Sequence, residues 1–491
     1  YRADYPGLTV ESESAYSRCL NHDFVISEIG RSDIILVVGS DLISEHPNVH
    51  LWTRKAVYEN GAKLYTANPF ETKSGDCSFD ELIYSPGSEV ALLNGLTLGI
   101  LDQGLAPKGF NSADSSGLLE PNTIDACAKK CGVSVERLES CARDLAEAKT
   151  PCLIGGEIIS TSVERETISR ALSNLSAALG IKPGKKGQSL ILPKAANSKG
   201  AEALGLTPDP PEALRKELTK ILNRYPELKG LTASQMYDSA RVGELSGMVL
   251  IGSNPVQFSP DSKSVEKALK SLDFLLVADL FMTPTAEMAD VALPLSSFAE
   301  YDGAFVNLEG RQQDFSAGMK PVGESLPGFE ALNKIAEKLG CSLYSDSATL
   351  NQEIEKTLDS FDSAPNKQNL IEAKAKETAP TPGEEWYPIY VGDALHHFGS
   401  WTTHCESLRA FDPEAYLEVS PRLASSLGIE SGELVRVSND NKRVNLKLKI
   451  SERLKGNVVF APNNFDLSRV DRFTSGIDKV SYVRIEKINE S

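Results

Sequence analysis

Two glycine–serine pairs have the residue types and the setting of a diphosphate-binding turn. Gly39-Ser40 follows an apolar run at 33–38, and Gly252-Ser253 follows another at 247–251. A glycine at the carboxyl end of a buried strand lets backbone amides approach a diphosphate, and the start of the next helix favours the anion. In both copies a proline stands seven residues after the serine, at 47 and 260, and is predicted to begin a helix.

A polar residue at the end of the following strand could complete each site. Asn68 ends the strand predicted at 63–67, and Asp279 ends the strand predicted at 274–278. A side chain in that place can hold a ribose hydroxyl. For each copy alone, a tight turn that contacts no ligand is the alternative. Because the two copies match, they favour paired nucleotide sites, either vestigial or occupied.

Cysteine and histidine side chains raise the question of a metal. The eight cysteines contain no Cys-x-x-Cys pair, so we predict no iron–sulfur cluster held wholly within this chain. Cys127 and Cys131, four apart on a predicted helix, are interpreted as core residues rather than ligands. One further cluster consists of His396, His397, His404 and Cys405. It could form a tetrahedral metal site, or it could simply contact the cofactor region.

Three carboxylates lie in the segment after the second turn. Asp290, Glu300 and Asp302 could act as acids or bases, or they could cap turns near Arg311. We favour the structural role. The sequence contains no Ser/His/Asp arrangement and no Walker-type loop, so it gives no support for a nucleophilic hydrolase or a P-loop enzyme.

Composition bounds the class of protein. With 491 residues, 41% apolar and 24% charged, the chain is predicted to be globular with about three domains. A net charge of −17 argues against a nucleic-acid partner, because binding to phosphates requires clustered Lys and Arg. No apolar run approaches the roughly 20 residues that span a bilayer. No signal-peptide pattern follows Tyr1, and the absence of an initial Met suggests a fragment or a processed product.

The order of predicted elements gives the fold class. Each strand–turn–helix–strand copy predicts a Rossmann-like parallel-sheet domain, at 1–182 and 183–343. The second begins with a Gly/Lys/Pro-rich stretch, 183–209, that we predict to be a loop. A polar linker is predicted at 344–383. Six short β-branched strands in 384–491 predict a closed barrel, because closure removes exposed strand edges.

The chain resembles the molybdopterin-dinucleotide oxidoreductase superfamily. The matching stretches are 33–47, 86–96, 252–255, 281–313 and 417–437. The resemblance implies a formate dehydrogenase/DMSO reductase-like fold, with two Rossmann-like domains and a C-terminal six-stranded barrel of the double-psi type. It also implies two guanylate-tailed pterins, one per Rossmann-like unit, so that molybdopterin guanine dinucleotide is the candidate cofactor. The predicted cofactor-binding residues are Gly39, Ser40, Asn68, Gly87, Ser88, Gly252, Ser253, Asn254, Asp279, Asp290, Asn307, Arg311 and His397.

Departures from the family pattern bear on catalysis. The first residues, YRADYPGL, contain no Cys ligand, and Asp4 is the only substitute they offer. The stretch 154–163 lacks the His expected of formate dehydrogenases. At 470–474 the sequence reads VDRFT, which replaces the pterin-contacting Asn that precedes Leu-Thr in family members. The stretch 183–209 looks like that of the large iron–sulfur subunit of NADH:quinone oxidoreductase (complex I).

These features lead to a prediction and two alternatives. The chain is predicted to be the scaffold part of that complex I subunit, beside the iron–sulfur relay, with no catalytic residue and no metal of its own. Its partners would be other peripheral-arm subunits, which would bring it to the cytoplasmic face of the inner membrane. Iron–sulfur clusters are expected only in those partners or in an N-terminal region missing from this chain. The first alternative is the large subunit of a molybdenum or tungsten bis-pterin enzyme like formate dehydrogenase. The second is a guanine-nucleotide-binding module.

Overall fold

A computed structural model describes most of the chain from residue 25 to residue 488. The residues outside the description are 1–24, 109, 111–114, 163, 182–185, 209, 211, 223–228, 260, 345–346, 360–371, 376–382, 384, 393–396, 398–400, 412, 440–441, 455, 463–464, 466–469, 474–480 and 489–491.

Strands and helices alternate through the first two thirds of the chain, and strands dominate the last third. The strands are β1 (Ile34–Val38), β2 (Lys63–Asn68), β3 (Asp80–Ile83), β4 (Leu119–Glu120), β5 (Pro151–Gly155), β6 (Gln188–Ile191), β7 (Gly247–Ile251), β8 (Phe274–Asp279), β9 (Val291–Pro294), β10 (Gly303–Val306), β11 (Gln312–Phe315), β12 (Ala373–Lys374), β13 (Tyr387–Gly392), β14 (Tyr416–Val419), β15 (Leu434–Asn439), β16 (Lys442–Ile450), β17 (Val459–Pro462) and β18 (Ser481–Lys487). The α-helices are Leu42–Glu45, Pro47–Asn60, Glu89–Asp102, Ser115–Leu118, Ile124–Cys131, Val135–Glu147, Glu157–Thr161, Arg165–Ala178, Ser198–Ala203, Glu212–Leu222, Ala233–Arg241, Pro255–Phe258, Ser262–Lys270, Gly328–Lys338, Ser347–Asp359, Glu406–Arg409 and Pro421–Leu427. Short 3-10 helices cover Ile26–Arg31, Lys73–Cys77, Ala286–Met288, Thr402–His404 and Val470–Phe473.

The first unit is a three-layer parallel sheet. Its five strands lie in the order β3-β2-β1-β5-β6, and all four pairings are parallel. Side chains alternate along β1, so Ile35 and Val37 face helix Pro47–Asn60, whereas Leu36 and Val38 face helices Glu89–Asp102 and Arg165–Ala178. Helices therefore cover both faces of the sheet, as a parallel sheet requires.

Helix Pro47–Asn60 illustrates how local sequence sets an element. Pro47 occupies the first turn, where its missing N–H leaves no intrahelical bond unmade. Gly61 ends the helix at φ 67°, a left-handed conformation that a β-carbon disfavours. The sequence had predicted a helix at 47–60, and the structure confirms it.

The second unit is smaller. Its parallel strands lie in the order β7-β8-β9. Helices Ala233–Arg241 and Ser262–Lys270 pack on one face of this sheet through Tyr237, Val265 and Leu269. The hairpin β10–β11 follows.

The C-terminal barrel is closed in the order β13-β17-β14-β16-β15-β18. The pairs β13–β17 and β14–β16 are parallel and the other four are antiparallel. Ser420 caps helix Pro421–Leu427, which ends at Gly428. The predicted fold class, with two parallel-sheet units followed by a six-stranded barrel, is confirmed.

Two predicted irregular stretches contain regular structure. The stretch 183–209 includes β6, which pairs with β5 and so extends the first sheet beyond residue 182, and helix Ser198–Ala203. The predicted linker 344–383 includes helix Ser347–Asp359 and β12, which pairs with β4 of the first unit. The prediction of a loop at 183–209 was wrong, because elements of four to six residues are too short to produce a readable hydrophobic period. The role of 344–383 as a linker stays a prediction, although the stretch includes a helix of 13 residues.

Within the described residues, no helix is long and apolar enough to cross a membrane.

Candidate functional site

The first glycine–serine turn ties the carboxyl ends of β1 and β2 together. Gly39 has φ 70°, and its amide donates to the carbonyl of Ala67 at 2.8 Å. The Asn68 side-chain amide donates to the carbonyl of Ser40 at 3.1 Å. Asn68 therefore lies against the turn, where the sequence had placed it.

The second turn repeats this backbone geometry. Gly252 has φ 60°, and its amide donates to the carbonyl of Ala278 at 2.8 Å. The helix offset differs from the prediction, however. Pro255 begins the short helix Pro255–Phe258, and the longer helix begins at Ser262 after the cap Asp261. Pro260 lies outside the described residues, and the next long helix starts eight residues after Gly39 but ten after Gly252.

The first turn stands at a topological switch point of the sheet. From β1 the chain passes to helix Pro47–Asn60 on one face, and from β5 it passes to helix Arg165–Ala178 on the other. Such a divergence opens a crevice at the carboxyl ends of the two adjacent strands, where open α/β sheets bind ligands.

Gly156 allows the two strand ends to meet at this point. Its amide donates to the carbonyl of Val38 at 2.8 Å, and the amide of Ile158 donates to the carbonyl of Gly39 at 3.0 Å. A β-carbon on Gly156 would lie 2.1 Å from the Ser40 β-carbon. The sequence analysis did not identify Gly156, although the Gly155-Gly156 pair after a buried run was a signal for it.

Carboxylates gather beside the first turn. Glu45 accepts hydrogen bonds from the Ser40 hydroxyl at 2.6 Å and from the Asp41 amide at 3.2 Å. Burial, and then the nearby Glu157 carboxylate, raise the pKa of Glu45 to about 8. Lys194 forms an ion pair with Glu157 at 2.7 Å, and its side chain is only 8% exposed. Sequence reasoning missed all three charged residues, because no local pattern marks them.

The described contacts at the second turn involve neutral donors and acceptors and the Asp279 carboxylate. The Thr285 hydroxyl donates to Asn254 Oδ1 at 2.7 Å and accepts from the Val256 amide at 3.1 Å. Asp279, at the end of β8, accepts from the Leu280 amide at 2.7 Å. Burial raises the pKa of Asp279, as expected for a carboxylate with little access to water.

The barrel packs against the edge that carries the first turn. Phe70, two residues after Asn68, meets Tyr390 of β13 edge to face, with 5.4 Å between ring centroids. The Glu89 carboxylate of the first unit also lies near this contact. Burial is the largest cause of the raised pKa of Tyr390, and the Glu89 carboxylate is the second largest. The pKa of Tyr84 is raised by the same two causes in the same order.

Several predicted site residues have structural partners instead of an open position. Asp290 accepts from the Leu275 amide at 2.7 Å, and Asn307 Oδ1 accepts from the amides of Glu309 and Arg311 at 2.9 and 3.0 Å. Arg311 is exposed. Glu300 accepts from the amides of Ser297 and Val322, and Asp302 accepts from that of Ala317, so both hold loops.

Two further predicted residues precede a helix, and one lies near the barrel. Gly87 has φ 75°, and the carbonyl of Ser88 accepts from the Leu92 amide in the first turn of helix Glu89–Asp102. His397 is 2% exposed and meets Phe465 edge to face at 5.0 Å. The contacts given for Gly87, Ser88 and His397 are with residues outside the two glycine–serine turns.

The histidine–cysteine cluster does not come together as a metal site in the described residues. His404 stacks on Phe281 with centroids 4.0 Å apart, and Cys405 contacts the Ser407 hydroxyl at 3.2 Å. His396 lies outside the description. Across the parts of the chain that the structure covers, no group of three His, Cys, Asp or Glu side chains is arranged to hold a metal ion. Cys127 and Cys131 are buried in the core.

The residues at the two turns fit a pterin dinucleotide. Asn68 is 1% exposed, and its Oδ1 has no hydrogen-bond partner among the described residues, so it remains an acceptor for a ligand hydroxyl. Asp279 offers a buried carboxylate at the corresponding place in the second unit. Each glycine turn presents backbone amides at a strand's carboxyl end. The matched turns predict that both sites face one cleft at the carboxyl ends of the strands, and this stays a prediction.

Two family models account for most of the chain. Residues 1–338 match the molybdopterin oxidoreductase model, and residues 390–483 match the molydopterin dinucleotide binding domain. A solved structure, acetylene hydratase from Pelobacter acetylenicus, superposes with a TM-score of 0.73 over 96% of this chain and 82% of that one. At 17% identity this likeness shows the fold alone.

Several curated relatives are subunits of oxidoreductases. The chain is 29% identical to the F420-dependent formate dehydrogenase subunit alpha of Methanocaldococcus jannaschii, over 94% of this chain and 78% of that protein. It is 28% identical to the NADPH-Fe(3+) oxidoreductase subunit alpha of Geobacter sulfurreducens, over 94% of this chain but only 57% of that protein. It is 25% identical to the assimilatory nitrate reductase catalytic subunit of Bacillus subtilis, over 89% of this chain and 70% of that protein. These relatives do not support the predicted assignment to complex I. The chain belongs to the molybdopterin oxidoreductase family.

Proposed function

We propose that this chain is the pterin-dinucleotide-binding part of a large oxidoreductase subunit related to formate dehydrogenase. The observation that carries the proposal is the matched pair of glycine turns, each beside a buried polar side chain at the end of the next strand, Asn68 and Asp279. The alpha-subunit relatives with formate dehydrogenase activity in their names favour this alternative over the complex I scaffold.

Each unit would hold one guanylate-tailed pterin through its own residues. The backbone amides that follow Gly39 and Gly252 would receive the diphosphates, because backbone donors at the carboxyl end of parallel strands suit phosphate oxygens. Asn68 Oδ1 and the Asp279 carboxylate would accept hydrogen bonds from the ribose or the base. When bound between two pterins, a molybdenum or tungsten ion supplies two-electron redox chemistry.

The barrel would close the site on the side of the first turn. The Phe70–Tyr390 contact seats β13 directly after the Asn68 strand end. A cover there excludes water from the nucleotide, which strengthens its polar contacts.

Substitution of Asp279 tests the cofactor site. We expect Asp279→Asn to weaken retention of the guanylate about tenfold or more, since loss of a charged hydrogen bond costs roughly 1.5–3 kcal/mol. The matched control is Asp273→Asn, at the exposed start of the same strand region, which should retain the wild-type content. The measurement is guanylate released by acid, together with molybdenum and tungsten, per chain purified from the native host.

Activity and partners decide between the family branches. Formate-dependent dye reduction by the metal-containing preparation supports the proposed enzyme. Co-purification with a flavin-containing NADH dehydrogenase module, without metal or pterin, would overturn it in favour of the complex I scaffold. If the purified chain contained guanylate but no metal, the result would favour the second alternative, a guanine-nucleotide-binding module.

A further inference from the structure

The two turns have similar backbone geometry, but different groups accept hydrogen bonds from them. At the second turn, the Val256 amide is satisfied by the neutral hydroxyl of Thr285. At the first turn, the Ser40 hydroxyl and the Asp41 amide both donate to the carboxyl group of Glu45. A carboxylate in that position makes the same kind of contact that a phosphate oxygen of the cofactor would make.

Glu45 stands in a neighbourhood with excess negative charge. Besides burial, the charges of Glu157 and Asp41 raise the pKa of Glu45. The charge of Glu45 in turn contributes to the raised pKa of Tyr84. Lys194 is engaged by Glu157, and Glu89 beneath Tyr84 is a buried acid. A diphosphate that entered this crevice would add negative charge next to an ionised Glu45, which costs free energy at short range in a poorly solvated site.

We propose that Glu45 is an internal anion that competes with the cofactor diphosphate at the first turn, so that this turn accepts a dinucleotide only when Glu45 is protonated. This inference rests on the proposed cofactor site and assigns a specificity-determining residue within it. At the second turn the Val256 amide donates to the neutral Thr285 hydroxyl instead. We therefore expect the two nucleotide positions to differ in their response to proton concentration, although their backbone geometries match.

The pH dependence of dinucleotide binding follows from the protonation of Glu45. Because burial raises the pKa of Glu45 to about 8, the carboxyl group is neutral at lower pH and binding there is at its strongest. Above that value, binding must take up one proton, so affinity falls by up to about tenfold per pH unit. Binding at the second turn does not involve this proton uptake by Glu45.

GDP-mannose is a suitable probe, because both of its phosphates are esterified and keep one charge each across this range. Titration calorimetry with the full chain, produced in a host that makes no pterin, would compare about pH 7 with about pH 9, on either side of the Glu45 pKa. We expect one binding event in the wild type to weaken about tenfold between these values. Glu45→Gln imitates the protonated group and should make that event independent of pH.

Three further variants make the test specific. Glu59→Gln removes the same charge from the exposed end of helix Pro47–Asn60 and should leave the wild-type profile. Asp279→Asn should weaken the other event and leave the pH-dependent one. If Glu45→Gln does not fold, Ser40→Ala serves instead, because the Ser40 hydroxyl lowers the pKa of Glu45 and its loss should move the binding midpoint to higher pH.

The outcomes separate this inference from the proposed function. A pH profile in Glu45→Gln that is the same as in the wild type would overturn the role of Glu45 while leaving the cofactor site in place. No binding of GDP-mannose to any variant at either pH would overturn the cofactor site, and the role of Glu45 with it.

Discussion

At the second turn a single hydroxyl group serves two partners. Thr285 is completely buried; it donates to Asn254 Oδ1 and accepts from the Val256 amide. Asn254 in turn donates to Gln257 Oε1 at 2.5 Å, so the short helix Pro255–Phe258 is held by side chains from 254, 257 and 285. Buried polar groups connected in this way specify one conformation, because each alternative leaves a donor or an acceptor without a partner.

The first residue-scale prediction removes this hydroxyl without changing the side chain's shape. Thr285→Val leaves Asn254 Oδ1 and the Val256 amide without that partner, and we expect the free energy of unfolding to fall by about 2 kcal/mol. Chemical denaturation monitored by circular dichroism measures the change. Thr285→Ser keeps the hydroxyl and should lose less. Thr219→Val, at an exposed helix position, should change stability by under about 0.5 kcal/mol. Equal losses in Thr285→Val and Thr219→Val would contradict the assigned role.

At the scale of elements, the first turn depends on two strand ends that come from distant parts of the sequence. β1 and β5 pair in register from Ile34 with Pro151 to Val38 with Gly155, and the chain beyond them stays hydrogen-bonded through Gly156 and Ile158. This approach leaves no room for a side chain at 156. The glycine is therefore required by the packing of one turn against another, whereas Gly39 and Gly252 are required by their positive φ.

A methyl group at this position tests the close approach. We expect Gly156→Ala to lower the free energy of unfolding by about 3 kcal/mol, because the Ser40 β-carbon and the Gly39 carbonyl must move apart to admit it. Thermal unfolding and the guanylate content should both fall. Gly117→Ala provides the control, since a β-carbon there meets no atom within 4 Å and the backbone needs no positive φ. A stable, fully loaded Gly156→Ala protein would show that the two turns can separate freely.

The same scale explains which elements the sequence could predict. β14 was predicted at 416–419 and lies there, because its β-branched and apolar residues are bounded by turn residues on both sides. Gln188–Ile191 was missed because it is short and follows a Gly- and Lys-rich stretch. Its identity as a strand comes from pairing with β5, a contact that no local pattern encodes.

The site residues also divide into those that local sequence reveals and those that only the sheet pairing brings into place. Gly39, Asn68, Gly252 and Asp279 were predicted because each stands next to a strand that local sequence reveals, and the structure places each at that strand's end. Gly156, Glu157 and Lys194 join the first turn only because β5 lies beside β1, and β6 beside β5, in the sheet order. Glu45 belongs to a four-residue helix, Leu42–Glu45, that is too short to predict from periodicity.

At the scale of the whole molecule, the barrel is held to the first unit by an arginine with several partners. Arg453 donates to both carboxylate oxygens of Glu418, at 3.2 and 2.8 Å, inside the barrel. Its guanidinium lies over the ring of Phe460 at 5.0 Å and over Phe70 of the first unit at 5.8 Å. A planar guanidinium can make a two-pronged ionic contact with a carboxylate and lie over aromatic rings at the same time. The Phe70 loop that follows Asn68 therefore rests on a charge fixed within the barrel.

Replacement of this arginine should loosen the barrel and uncover a buried charge. Arg453→Leu leaves the Glu418 carboxylate, whose side chain is 5% exposed, without its cation, and we expect a loss of about 3 kcal/mol in the free energy of unfolding. Hydrogen exchange should also accelerate at Phe70 and at β13, because the stacking contact between the units is lost. Arg436→Leu is the matched control. Arg436 pairs with Glu486 on the exposed barrel surface at 3.8 Å, where loss of an ion pair costs about 0–1 kcal/mol. If both arginine variants lost equal stability and exchange at Phe70 stayed at the wild-type rate, the barrel would have to be held to the first unit by other contacts.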